Sequence, residues 1–112
     1  MIFMEPQQAN EGTKAPNAVS VIRIDEGSGQ VSVKGRPVAV TPTEFRLLAA
    51  LMSRPGEALH RKELARLAMG DAIVGDRTVD VHLASLRRKL GSAGQQIKAV
   101  RGVGYRFESS VR

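Results

Sequence analysis

The hydrophobic period of this chain changes twice, at Thr41 and again at Gly91, and those changes limit the folds open to it. Before Thr41 the apolar residues sit in short β-prone runs, Val19-Ser20-Val21-Ile22-Arg23-Ile24, Gln30-Val31-Ser32-Val33-Lys34 and Pro37-Val38-Ala39-Val40. Residues 25–29 and the pair Gly35-Arg36 punctuate them, so a small antiparallel meander is the economical reading. At Thr41 the spacing becomes helical. Thr41-Pro42-Thr43-Glu44 supplies a Thr cap, Pro at the first helical position and Glu at the third, with Val40 and Phe45 placed as a hydrophobic staple. Phe45, Leu48, Leu51 and Met52 then recur at helical spacing until Ser53-Arg54-Pro55-Gly56, which predicts a first helix over 42–53.

A second helix is expected over 61–69, with Leu64, Leu67 and Ala68 on one side, followed by a connection over 70–75. Asp76 is placed to cap a third helix. In that helix Val79, Leu83, Leu86 and Leu90 fall, at 100° per residue, in a stripe about 60° wide, a core-facing seam. Gly91 stops the helix. After a polar connection, Ile97-Lys98-Ala99-Val100-Arg101 and Gly104-Tyr105-Arg106-Phe107-Glu108 read as a terminal β-hairpin around Gly102-Val103. Residues 1–17 lack periodicity and are expected to be a tail or linker, leaving 18–112 as one domain.

Composition removes several classes of protein. With 42% apolar residues, no Trp, one Tyr and three Phe, the core has to be mainly aliphatic. The chain has no Cys, so it has neither a disulfide nor a thiolate zinc site, which suits a cytoplasmic location. The longest strictly apolar run, residues 47–52, is far short of a membrane span of about 20 residues. Residues 1–4 are too short for the apolar part of a signal peptide, so the mature chain is expected to start where the sequence does. His60 and His82 lie on different elements, and no Gly-rich phosphate loop of the nucleotide-binding type is present. No active site, metal site or cofactor is expected.

Charge points to a partner. Residues 1–60 carry six basic and six acidic side chains, whereas 61–112 carry eleven and five, so the whole net charge of +6 lies in the second half. Between residues 81 and 107 there are six basic side chains and no carboxylate. A field confined in this way favours a polyanion. The face of the third helix opposite its seam carries Arg77, Val81, Ala84, Ser85 and Arg88, with Thr78, His82 and Lys89 along one edge. Short side chains at its centre permit close approach to base edges, and the cations around them reach phosphates. With the preceding helix this makes a helix-turn-helix whose second member is the recognition helix. Arg101, just before the Gly102-Val103-Gly104 tip, is placed to enter an adjacent minor groove. A solvated basic face and a hairpin that only closes the core remain the plain alternatives.

Four motifs in order, Thr41-Pro42-Thr43-Glu44-Phe45, Asp76-Arg77-Thr78-Val79-Asp80-Val81-His82, Leu86-Arg87-Arg88-Lys89-Leu90 and Val100-Arg101-Gly102-Val103-Gly104-Tyr105-Arg106-Phe107, resemble the OmpR/PhoB-type effector domain of bacterial response regulators. The resemblance covers about residues 19–108. It implies an α+β winged helix-turn-helix with an N-terminal four-stranded antiparallel β-sheet, three helices and a C-terminal β-hairpin wing. It also implies sequence-specific double-stranded DNA binding in transcription regulation within a two-component system. Residue by residue, Arg77, Thr78, His82, Arg87 and Tyr105 match phosphate-holding positions, Val81 an apolar base contact and Arg101 the minor-groove arginine of the wing.

The chain departs from the family pattern at two places: Ala84 and Ser85 stand where many relatives have arginines, and Met69 where a Trp is usual. The segment Gly70-Asp71-Ala72-Ile73-Val74-Gly75 matches a loop that in several members touches RNA polymerase. Asp71, Ile73 and Val74 either form that surface or, for the two apolar residues, tuck into the core. Relatives bind direct repeats as head-to-tail pairs, which makes such a dimer an expectation here. With 1–17 read as a tail or linker, the chain is expected to be either an excised effector or a regulator that works without phosphorylation. The rival readings are an RNA-binding module and a basic protein-interaction module.

Overall fold

The computed structural model describes residues 21–70 and 76–108. Three antiparallel strands, β1 (Ile22–Asp25), β2 (Gln30–Val33) and β3 (Arg36–Val38), form the meander expected from the β-prone runs. Ile22 pairs with Val33, and Val31 with both Ile24 and Val38, which puts the apolar residues on one face against the helices. The second turn falls one residue earlier than the sequence suggested. Lys34 and Gly35 both have positive φ, 52° and 82°, and Arg36 belongs to β3. A two-residue turn with both central residues left-handed matches the twist of the flanking strands. Pro37 is tolerated because β3 is an edge. Of the four strands implied for this sheet, three lie among the described residues; Val19 and Ser20 fall outside them.

Helix α1 runs Pro42–Met52 and carries the full capping box. The Glu44 backbone N–H donates to Thr41 Oγ1 at 3.1 Å, and the Thr41 N–H donates to Glu44 Oε1 at 2.9 Å. Val40 and Phe45 pack against the core, as a staple requires. The face of α1 is shifted from expectation: Leu47, Leu48 and Leu51 are fully buried, with Phe45 and Met52 at its margins. Helix α2 spans Arg61–Met69 as expected. Its buried face is Leu64, Ala65 and Ala68, whereas Leu67 is 40% exposed. Two alanines let α2 approach its neighbours closely, and the seam centres between Leu64 and Ala65, which swings Leu67 to the edge.

Helix α3 spans Asp76–Leu90, so Asp76 is its first helical residue and the cap position falls at residue 75, outside the described residues. Val79, Leu83, Leu86 and Leu90 are all buried, which is the predicted seam. Gly91, at φ 66°, ends the helix, and the polar connection forms a 3-10 turn over Gly91–Gln96. Gly94 lies so close to α3 that a β-carbon there would overlap the Arg87 carbonyl.

The terminal hairpin, β5 (Ile97–Val100), a turn over 101–103 and β6 (Gly104–Phe107), is part of a larger sheet than expected, because a two-residue strand over Leu59–His60 pairs with β6 on its other side. In this second sheet the strands lie in the order β4 (Leu59–His60), β6, β5. Two residues carry no alternation, so nothing in the local pattern announced β4. Gly104 makes the pairing possible, since any β-carbon there would overlap the Leu59 carbonyl oxygen. Ile97, Tyr105 and Phe107 join the three helices in one aliphatic-rich core. No described helix is long and apolar enough to cross a membrane.

Candidate nucleic-acid interface

With its seam buried, α3 presents the opposite face outward. Val81 is 57% exposed, Arg77, Ala84 and Arg88 are also exposed, and Thr78, His82, Ser85 and Arg87 are half-buried on the flanks. Arg77, Val81, Ala84 and Arg88 lie outward as the 3.6-residue period predicts, whereas Ser85, expected on that face, is half-buried on its flank because its hydroxyl bonds to Glu44. The wing turn places Arg101 in solvent beside Gly102, whose φ of 78° is left-handed. The Val103 N–H closes the turn on the Val100 carbonyl at 3.0 Å. Arg77, Arg87, Arg88, Lys98 and Arg101 form no ion pair among the described residues, so their charge is available to a partner.

The structure separates Lys89 from Arg88. Lys89 Nζ donates to Glu44 Oε1 at 2.7 Å, and Glu44, 2% exposed, is the buried charge of the molecule's described part. Burial by itself raises the Glu44 pKa, but the Lys89 ammonium, the Thr41 N–H and the Ser85 hydroxyl outweigh it and hold the carboxyl below its ordinary value. Ser85 and Lys89 therefore lean toward α1. A phosphate contact from Lys89 would require it to share or leave that carboxylate.

Tyr105 is similarly engaged. The residue is 6% exposed, and its hydroxyl donates to Asp80 Oδ1 at 2.8 Å. Arg61 Nε donates to the same oxygen at 2.9 Å, and its guanidinium carbon sits 5.6 Å from the Tyr105 ring centroid. Burial opposes ionisation of Asp80, yet the bonds from Arg61 and Tyr105 and the Arg61 charge prevail, and its pKa is lowered. For Tyr105, burial and then the bond to Asp80 push the phenol above its ordinary value. Sequence reasoning missed this junction. The one available signal was Asp80, a carboxylate inside an otherwise basic helix face.

Beside the junction, an open groove lined by His60, Arg61, Lys62, Glu63, Arg66, Gly102 and Val103 runs between the start of α2 and the wing turn. Asp71, Ile73 and Val74 lie outside the described residues.

Comparison with known proteins gives these features a family. Residues 35–107 match the family described as "Transcriptional regulatory protein, C terminal". The transcriptional regulatory protein BaeR of Escherichia coli O6:H1 (strain CFT073) is 44% identical over 97 residues, 83% of this chain and 40% of BaeR. The chain spans about two fifths of the length of the curated relatives it matches. Among solved structures, the DNA-binding domain of the response regulator AdeR, in complex with an intercistronic region, superposes with a TM-score of 0.71 at 34% identity, covering 81% of this chain and 96% of that one. The DNA-binding domain of CpxR from E. coli gives 0.72 at 30% identity, covering 81% and 93%. The meander, the three helices and the wing of this chain recur in those domains: the chain belongs to the OmpR/PhoB-type family of transcriptional regulatory protein C-terminal domains, with the winged helix-turn-helix fold.

Proposed function

We propose that this domain binds double-stranded DNA in a sequence-specific manner and serves transcription regulation, with α3 in the major groove and the wing turn in the adjacent minor groove. The observation that carries this reading is the exposed Val81 at the centre of α3, opposite a buried seam and ringed by arginines that form no ion pair among the described residues. An exposed aliphatic group in a surface of outward cations suits a thymine methyl beside phosphates. The AdeR domain, similar over most of this chain, supports it.

In this reading Val81 contacts bases, with Ser85 beside it. Arg77, Thr78, His82, Arg87 and Arg88 hold phosphates or flank the bases, and Arg101 enters the minor groove. Lys89 and Tyr105 contribute mainly through Glu44 and Asp80, the partners they already have. Lys62 and Arg66 in the neighbouring groove extend the path for the backbone. The role is that of a binding module, suited to the cytoplasm. Contact of Asp71, Ile73 and Val74 with RNA polymerase and head-to-tail pairing on direct repeats complete the proposal, and both rest on the family resemblance.

The test is selection of bound duplexes from a randomised library at two salt concentrations, with RNA of equal length as competitor. The reading expects one enriched motif, recovered at both salts, and poor competition by RNA. No enriched motif, or RNA competing as well as DNA, would overturn it.

A further inference from the structure

Three elements that shape the proposed DNA surface meet at a single oxygen atom. Asp80 Oδ1, on α3, accepts from Arg61 at the start of α2 and from Tyr105 on β6, at 2.9 and 2.8 Å. The backbone reinforces the junction, because the Arg61 N–H donates to the Val103 carbonyl of the wing turn at 3.3 Å and His60 pairs with Gly104. The Asp80 side chain is 40% exposed, on the flank of a face whose charge favours a polyanion. A carboxylate there repels phosphate by itself. What it gives in exchange is a charged acceptor for two donors from two other elements, a stronger tie than a neutral acceptor could make.

The tie adds a side-chain anchor on α3 to the backbone bond that holds the wing turn to the start of α2. Tyr105 lies four residues beyond Arg101, on the strand that leads out of the turn. Anchoring its hydroxyl to α3 sets how far Arg101 stands from Val81. Were the wing free to rock, its ordering would have to be supplied by binding, and the arginine would contribute less.

We propose that Asp80 is a positioning residue that, through Tyr105 and Arg61, locks the wing to the recognition helix so that Val81 and Arg101 engage neighbouring grooves in one fixed geometry. The inference rests on the DNA-binding reading above. It does not require Asp80 to touch DNA. A phosphate-binding role for the Tyr105 hydroxyl makes a different prediction in the same experiment.

The experiment is a double-variant cycle on the full chain: wild type, Arg101→Ala, Tyr105→Phe and the combination, each measured for affinity to a wild-type-selected duplex with an A·T-rich flank at fixed salt. Removing Arg101 should weaken the wild-type protein about tenfold but the Tyr105→Phe protein only about threefold or less, because contacts that share a tether are not additive. Asp80→Asn should attenuate the Arg101 effect in the same way. An equal cost for Arg101→Ala in every background overturns the proposal, whatever fall in melting temperature the variants show; that is also the outcome if Tyr105 simply holds a phosphate. Tyr105→Phe removes one oxygen and keeps the core ring, so it carries the test should Asp80→Asn fail to fold.

If the wild-type protein selects no duplex, the failure belongs to the DNA-binding reading and the lock is read in the free protein. Exchange of the Val103 amide hydrogen should then be at least about tenfold faster in Tyr105→Phe than in wild type. Unchanged exchange overturns the lock on its own.

Discussion

Two adjacent cations at the end of α3 should behave in opposite ways when removed. Lys89 is bonded to the buried Glu44 carboxylate, whereas Arg88 projects outward with no ion pair among the described residues. Lys89→Met leaves a carboxylate in the core with only the Thr41 N–H and the Ser85 hydroxyl to stabilise it. Stranding a fully buried charge costs about 3 to 5 kcal/mol. Because the Lys89 side chain is 36% exposed, water already screens part of the pair, and about 1 to 3 kcal/mol is the reasoned loss. For a domain of this size that lowers the melting temperature by about 5–15 °C. Glu44→Gln combined with Lys89→Met should recover much of it, since Gln keeps the capping-box acceptor and no unpaired charge remains.

Arg88→Ala should leave the melting temperature unchanged. Its effect belongs to DNA binding. If Arg77, Arg87, Arg88, Lys98 and Arg101 each displace one counterion from the duplex, the slope of log K against log salt is about −4 to −5, and losing Arg88 makes it shallower by about 0.9. Lys89→Met should leave the slope where it was. Thermal unfolding and a salt titration of duplex binding measure both quantities on the same samples. A Lys89→Met protein with wild-type stability and a shallower slope would refute the division of labour between these residues.

Three further outcomes follow from the packing. Glu44 and Asp80 have lowered pKa values, so the stability they confer is complete above their ordinary values of 4.5 and 3.8 and is lost as pH falls through the lower, folded-state values. Acid unfolding should therefore steepen below about pH 4.5 and become shallower in Glu44→Gln, as followed by circular dichroism. Gly104→Ala forces β4 away from β6 because the new methyl meets the Leu59 carbonyl; a loss of more than about 2 kcal/mol in urea unfolding is expected, and wild-type stability would contradict the close approach. Thr41→Ala removes the acceptor of the Glu44 N–H and should cost about 1 kcal/mol by the same assay.

Much of this fold could be read from the sequence wherever local chemistry alone decides it. The capping box at Thr41 and Glu44 fixed the start of α1, and the 3.6-residue spacing of Val79, Leu83, Leu86 and Leu90 gave both the buried seam and the outward face of α3. What stayed hidden depends on residues distant in the chain. The strand over Leu59–His60 exists because β6 lies beside it, and the line along which α2 packs on α1 and α3, which leaves Leu67 40% exposed, is set by those partners. The site divides in the same way. Exposure of Val81 and Arg88 follows from periodicity and that of Arg101 from its place at the hairpin tip, but the partners of Lys89 and Tyr105 lie 45 and 25 residues away, and no local pattern could show that Glu44 and Asp80 occupy them.

The central claim, that the outward face of α3 and the wing turn form one DNA-reading surface, is most directly tested by titrating the isotope-labelled protein with a duplex carrying a single selected half-site. Amide signals of Arg77, Val81, Ala84, Arg88 and Arg101 should shift together and saturate at one equivalent, while those of β1 to β3 stay in place. Shifts centred on the β1–β3 sheet, or on α3 without the wing, would contradict it.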